Sequence, residues 1–165
     1  MRLLSKTLAV LSIAWLASSG AQAKSCKEID TFISTSYFVQ GCTSPVALCT
    51  AGTVAFGPLA GTTRFTALTA APGATPYQFF YTGELVITTR SGSVTLHDFG
   101  FFDAMAGKYS ELQQIVAGTK KFKNATGTLS SAGLGDAAGF SGTLTGTICR
   151  AEDDEDDGDR AQEAE

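Results

Sequence analysis

Residues 78–102 read QFFYTGELVITTRSGSVTLHDFGFF and contain the clearest secondary-structure signal in the chain. Two runs rich in β-branched and aromatic residues flank Arg90-Ser91-Gly92, which predicts a hairpin of strands Gln78–Thr89 and Ser93–Phe102. Alternate residues of a strand point to opposite faces. Neither face of the first strand is wholly polar, so we expect one face to be buried and the other to line a cavity or contact another subunit. These faces carry Phe79, Tyr81, Gly83, Leu85 and Ile87, and Phe80, Thr82, Glu84, Val86 and Thr88.

The chain on both sides of this hairpin also has the composition of short strands. Glycines within these runs suit the tight bends of a closed barrel or plain hairpin turns. About eight strands at such spacing predict an all-β fold, either a barrel or a sandwich. Ala70–Pro76 is predicted to be a loop, and Thr119–Asn124 the only helical turn. The remaining predicted strands are Thr31–Val39, Thr53–Phe56, Thr62–Leu68, Tyr109–Ala117, Thr126–Ala132 and Gly139–Ile148.

The first 23 residues have the layout of a secretory signal peptide. Arg2 and Lys6 precede a short apolar run that ends at Ala21-Gln22-Ala23, a small-residue cleavage pattern. The run is shorter than the roughly 20 apolar residues that span a bilayer, and no second run follows, so a membrane-spanning protein is not expected. A secreted or periplasmic location is therefore predicted.

The end of the chain, residues 151–165, is strongly acidic. It holds nine of the 16 acidic residues and lacks branched or aromatic apolar side chains, which predicts a disordered tail. The folded domain is therefore expected at residues 24–150, where nine bases and seven acids give a net charge of +2 against −4 for the whole chain. A nearly neutral body with an acidic tail argues against a nucleic-acid partner.

Four cysteines in an exported chain predict two disulfides. Three connectivities exist, and the favoured one joins Cys42 to Cys49 and Cys26 to Cys149. A zinc site is the competing interpretation. It is weakly supported, because the chain has no Cys-x-x-Cys pair and a single histidine, His97.

Three further stretches carry a family resemblance. They are TGELVITTRSGSVTLHDFGFFD (82–103), KYSELQQIVAGTKKFKNATGTL (108–129) and GFSGTLTGTIC (139–149). The most specific element is Gly118-Thr119-x-x-Phe122 followed by Ala125-x-Gly127. The chain from Gly52 to Cys149 thereby resembles the barrel shared by allene oxide cyclases and dirigent proteins.

The resemblance implies an eight-stranded antiparallel β-barrel with an apolar cavity, often assembled as a homotrimer. Members of this family guide small hydrophobic molecules, either by cyclising a fatty-acid epoxide or by steering phenoxy-radical coupling, without a metal or organic cofactor. Lys120 replaces the second glycine of the family block, and Thr126 stands where dirigent proteins usually have arginine. The second difference argues against dirigent-type chemistry.

Two carboxylates are candidate catalytic groups. Glu84 and Glu111 each lie mid-strand among apolar or aromatic neighbours, and a carboxyl inside an apolar barrel could exchange protons with a substrate. They could equally face solvent or pair with Arg90 and Lys108. A His97–Asp98 dyad is not expected, because adjacent strand residues point to opposite faces.

Aromatic residues on the same strands are candidate ligand contacts, although they could instead fill a closed core or form a face between subunits. Three functions are consistent with these features. They are the binding of a small hydrophobic molecule, a cofactor-free isomerase or cyclase using Glu84 or Glu111, and a structural or interaction module of the cell envelope. No metal site is predicted, and the candidate ligand-binding residues are Phe79, Tyr81, Phe99, Phe101 and Tyr109.

Overall fold

A computed structural model of the chain describes residues 24–151, which form eight strands and one short 3-10 turn, η1. The predicted signal peptide, residues 1–23, lies outside the described residues, as does the predicted acidic tail apart from Ala151, which ends the last strand. The turn η1 spans Lys120–Phe122. The strands are β1 (Lys24–Tyr37), β2 (Cys49–Val54), β3 (Gly61–Pro72), β4 (Gln78–Thr89), β5 (Gly92–Asp103), β6 (Lys108–Gly118), β7 (Thr126–Gly135) and β8 (Gly139–Ala151).

Each strand pairs antiparallel with its neighbours in sequence, and β8 pairs antiparallel with β1, which closes the sheet into a barrel. The closing pair is long, running from Lys24 opposite Ala151 to Ser36 opposite Gly139. Closure gives every strand a neighbour on both sides. The predicted all-β fold and eight-stranded antiparallel barrel are confirmed.

The predicted strand limits differ most at β1, β2 and β3, and β2, predicted as Thr53–Phe56, spans Cys49–Val54. The prediction began β1 at Thr31, whereas the strand begins at Lys24. Its first residues, KSCKEID, are mostly polar, and residues 25–28 are exposed. Their strand conformation comes from pairing with β8. The loop predicted for Ala70–Pro76 is shorter than expected, since β3 continues to Pro72.

One half of the barrel is filled by side chains. Leu59, in the connection between β2 and β3, is fully buried, and Phe122 of η1 and Ala125 join the same apolar cluster. Burial of Phe122 explains why the chain forms a turn at η1 beside three exposed lysines. We call this half the closed end. The strand residues that fill it include Ile29, Ile87, Val94, Leu96, Ile115, Leu129 and Ile148.

The other half contains a cavity, and we call it the open end. It is bordered by the β1–β2, β3–β4, β5–β6 and β7–β8 connections. Phe140, at the start of β8, packs edge-on against Tyr37, Phe102 and Tyr109, with ring centroids 5.3–5.5 Å apart. These four rings form one wall of the opening.

Both predicted disulfides are present and have the favoured connectivity. Cys26–Cys149 joins directly opposed positions of β1 and β8, and Cys42–Cys49 closes the connection between β1 and β2. Two disulfides are consistent with a non-cytoplasmic protein. Across residues 24–151, no helix is long and apolar enough to cross a membrane.

Candidate functional site

The cavity of the open end has a volume of about 290 Å³ and mostly apolar walls. This is near the lower limit of the volumes typical of ligand pockets, roughly 300–1,000 Å³. Its two carboxyl groups belong to Asp98 and Glu111, and we call these acids, together with the Gln113 side chain that is hydrogen-bonded to both, the floor. The other polar lining residues are Thr35, Thr50 and Ser131. The apolar and aromatic lining residues include Ile33, Tyr37, Val46, Leu48, Phe65, Ala67, Ala70, Phe79, Tyr81, Leu85, Phe102, Tyr109 and Phe140.

A row of three paired residues positions the first carboxyl group of the floor. Tyr81 of β4 lies opposite Gly100 of β5, and Gly100 lies opposite Glu111 of β6. A Cβ atom at Gly100 would overlap the Tyr81 ring, so the glycine leaves space for the ring to cross β5. The Tyr81 hydroxyl then donates a 2.6 Å hydrogen bond to Oε1 of Glu111. This hydrogen bond reaches from β4 across β5 to β6, and it depends on the lack of a side chain at Gly100.

The next row positions a second carboxyl group. Gly83 lies opposite Asp98, and Asp98 lies opposite Gln113. Asp98 is only 4% exposed, and Gln113 is fully buried. The Gln113 amide nitrogen donates to Asp98 Oδ2 at 3.2 Å and to Glu111 Oε2 at 3.0 Å. One amide group therefore bridges the two acids.

Hydrogen-bond acceptors outnumber donors in the floor. Tyr81 and Gln113 supply the donors just described, and three of the four carboxyl oxygens accept them. Asp98 Oδ1 and Gln113 Oε1 are buried and find no hydrogen-bond partner within the part of the chain that the structure describes. Because an unmet buried acceptor is costly, the floor favours an added proton.

Burial changes the protonation of this cluster. Loss of solvent, followed by the charge of Glu111, raises the pKa of Asp98 to about 9. Burial likewise raises the pKa of Glu111 above its usual range, although its hydrogen bonds from Tyr81 and Gln113 act in the opposite direction. The pKa of Tyr81 is raised by burial and by the neighbouring carboxylate, so its hydroxyl stays protonated and donates. At neutral pH the floor therefore retains a proton that isolated carboxyl groups would lose.

The connection between β1 and β2 is fixed over the cavity. The Ser44 hydroxyl donates to the carbonyl oxygen of Ala67 at 2.6 Å and accepts from the backbone N–H groups of Val46 and Leu48. The Cys42–Cys49 disulfide ties the same segment to β2. Val46 and Leu48 thereby become part of the apolar wall.

Four of the predicted site residues line the cavity. Glu111 contributes to the floor, and Phe79, Tyr81 and Tyr109 contribute to the walls. Tyr109 also shares a 2.9 Å hydrogen bond with Ser131, another residue of the lining. Of the two faces described for β4, the one that carries Phe79 and Tyr81 therefore points inward.

The other three predicted site residues face outward. Glu84 lies on the outer side of β4, opposite the exposed His97, because Gly83 and Leu85 take the inward positions. Phe99 is 56% exposed, and both it and Phe101 contact Phe80 on the outer surface. The placement of Glu84, Phe99 and Phe101 in the cavity was therefore wrong, since each has the opposite strand parity from the lining residues.

Asp98 and Gln113 are the floor residues that the sequence-based choice omitted. Parity could have indicated both: Asp98 shares a face with Leu96 and Val94, and Gln113 shares one with Glu111 and Ile115. As predicted, His97 and Asp98 point to opposite faces. Which face of each strand points inward is determined by the strand register of the closed barrel, and the sequence of a single strand does not show it.

Among residues 24–151, no group of three or more His, Cys, Asp or Glu side chains is arranged to hold a metal ion. No family model matches the chain, and none of the curated proteins compared with it is significantly similar in sequence. The cavity itself is therefore the feature that points to a function.

Proposed function

We propose that this protein is an exported barrel that binds a small, mainly hydrophobic molecule in the open end. The observation that carries the proposal is the 290 Å³ cavity, whose aromatic and aliphatic walls end at the Asp98–Gln113–Glu111 floor. Apolar walls favour transfer of a ligand from water, and the few polar groups fix its orientation. The disulfides support export, and recovery of a mature protein beginning at Lys24 would test it.

A matched pair of alanine substitutions tests the cavity. Both Ala70 and its neighbour Ala71 are exposed, but only Ala70 lines the cavity. We expect the folded protein to take up an environment-sensitive apolar dye, Ala70→Phe to weaken uptake by filling space, and Ala71→Phe to leave it unchanged. Dye titration by fluorescence measures this. Lack of uptake by the wild type, or equal uptake by both variants, would contradict the proposal.

A cofactor-free isomerase or cyclase is the second candidate. It is favoured by Glu111, whose carboxyl group lies in the cavity and is hydrogen-bonded to Tyr81, so that the pair could exchange a proton with a bound substrate. Glu111→Gln should abolish any turnover found in a screen of small apolar substrates. Glu84→Gln, on the outer face, is the matched control and should retain it. Turnover that survives Glu111→Gln would exclude this mechanism.

Membership in the allene oxide cyclase and dirigent-like family belongs to the same proposal. The closed eight-stranded barrel and the inward position of Glu111 support it. The resemblance implies a homotrimer, which predicts a sedimentation coefficient that corresponds to the mass of three chains. A monomer in sedimentation velocity would contradict the assembly and also weigh against a structural role for the aromatic outer face around Phe80 and Phe99.

A further inference from the structure

The charges and hydrogen bonds of the floor narrow the chemical class of the ligand, provided that the cavity binds a ligand as proposed above. Asp98 and Glu111 are the only carboxyl groups among the described residues that line the cavity. No lysine, arginine or histidine is among the described residues that line the cavity. A cationic group would therefore meet two acids without a competing base.

The carboxyl groups of the lining also have spare acceptor capacity. A carboxylate has about four acceptor positions, and Glu111 accepts two hydrogen bonds, from Tyr81 and Gln113. An ammonium group has up to three N–H donors and no acceptor, which complements this arrangement. An alcohol brings one donor together with acceptor lone pairs, and a carboxylate brings only acceptors and a repulsive charge.

The walls suit the rest of such a ligand. Tyr81 and Phe65 pack edge-to-face beside the floor, with ring centroids 6.0 Å apart. The Tyr109 ring lines the cavity from β6. Aromatic rings attract a nearby cation through their electron-rich faces and also bury an aliphatic or aromatic tail. A small amine with an apolar body would therefore contact complementary groups along its whole length.

We propose that the open end selects a small lipophilic amine, bound as its ammonium ion, with the nitrogen on the cavity side of the Asp98 and Glu111 carboxyl groups and the apolar body toward Phe79 and Phe140. In the free protein the floor keeps a proton, because burial raises the pKa values of both acids. When the ammonium ion enters, that proton leaves to solvent, so the charge of the floor changes as the ligand binds. Binding is accordingly coupled to proton release.

Three compounds with one carbon skeleton test this selectivity: phenylbutylamine, phenylbutanol and butylbenzene. Isothermal titration calorimetry of the full mature protein should show the amine binding about tenfold more tightly than the alcohol, since a charge-assisted hydrogen bond exceeds a neutral one by that factor. Titrations in two buffers of different ionisation enthalpy should show a proton released with the amine and none with the alcohol.

Near-isosteric variants assign the effect to the floor. Asp98→Asn and Glu111→Gln should each remove the amine preference while keeping alcohol binding, and Glu84→Gln should behave as wild type. Circular dichroism confirms that each variant is folded. If Asp98→Asn does not fold, Glu111→Gln and the proton-release measurement on wild type still decide.

The outcomes separate this inference from the proposed function. Equal binding of amine and alcohol, or amine binding without proton release, would overturn amine selectivity but leave the hydrophobic binding function intact. If none of the three compounds binds and the apolar dye is also excluded, the proposed function itself fails.

Discussion

Gly100 is the residue over which the Tyr81 ring reaches Glu111, and the site depends on its missing Cβ atom. Gly100→Ala should displace the ring, break the hydrogen bond to Glu111 and cost about 1–3 kcal/mol of unfolding free energy, as overpacking does. Urea denaturation followed by circular dichroism measures this loss. Tyr81→Ala removes the obstacle, so adding Gly100→Ala to that variant should cost little more. Equal costs in both backgrounds would contradict the assigned clash.

Asp98 should make the stability of the protein depend on pH. Because its pKa is raised in the folded state, the folded protein binds more protons than the unfolded chain between the ordinary carboxyl pKa and about 9. The contribution of Asp98 to the unfolding free energy is therefore fully present at low pH and is lost as pH rises through that window. Glu111, whose pKa is also raised, adds a change of the same sign.

Asp98→Asn tests that linkage, because it removes the titrating group while keeping nearly the same shape. The difference in unfolding free energy, variant minus wild type, should increase steadily from pH 5 to pH 9 in urea titrations. Glu84→Gln, on the outer face, is the control for the loss of one carboxyl group outside the cavity. A constant difference for Asp98→Asn would mean that Asp98 does not titrate as described.

At the scale of strands, local pattern predicts some elements and not others. The limits of β4 matched the prediction at both ends, since its β-branched and aromatic run stops at a turn sequence. The start of β1 was missed because Lys24–Asp30 is mostly polar, and its strand conformation comes from β8, more than a hundred residues away in sequence. Long-range pairing of this kind leaves little trace in local composition.

The same distinction applies to the site. Glu84 and Glu111 look alike in sequence, each being mid-strand among apolar neighbours, yet Glu84 points out and Glu111 points in. The sequence shows that neighbouring residues alternate between faces, but only the closed barrel determines which face is inside. Tyr81 illustrates this further, because its hydrogen-bond partner lies two strands away.

The turn η1 should be important for stability through Phe122, which is buried in the closed end beside Ala125. Phe122→Ala should cost about 3–5 kcal/mol, as large-to-small changes in packed cores do. Phe99→Ala is the matched control on the outer surface and should cost about 1 kcal/mol, mainly its contact with Phe80. Thermal and urea unfolding measure both. Similar costs would show that η1 does not seal the barrel.

The two ends of the barrel have different roles: the closed end stabilises the fold, and the open end is the proposed binding site. The closed end holds a continuous apolar cluster, including Leu59 and Phe122, whereas the open end keeps a cavity and its buried acids. Buried acids and incompletely filled volume both reduce stability. The packed half and the covalent links must therefore offset what the cavity costs.

The two disulfides should differ both in stabilisation and in effect on binding. Cys26–Cys149 spans 123 residues of sequence and Cys42–Cys49 spans seven. Loop-closure entropy assigns them roughly 5 and roughly 2 kcal/mol, so Cys26→Ala/Cys149→Ala should lower the unfolding free energy more than Cys42→Ala/Cys49→Ala. Urea denaturation of each double variant, with the remaining disulfide oxidised, measures the difference.

Ligand uptake should show the opposite order. The Cys42–Cys49 link holds the segment that places Val46 and Leu48 against the cavity, whereas Cys26–Cys149 lies at the closed end. Loss of the short link should therefore weaken binding of the apolar dye, and loss of the long link should leave the dissociation constant unchanged while the barrel remains folded. Dye titration well below the unfolding midpoint separates the two effects. If removal of the long link weakened dye binding as much, the closed end would also shape the cavity, and stability and binding would not be divided along the barrel.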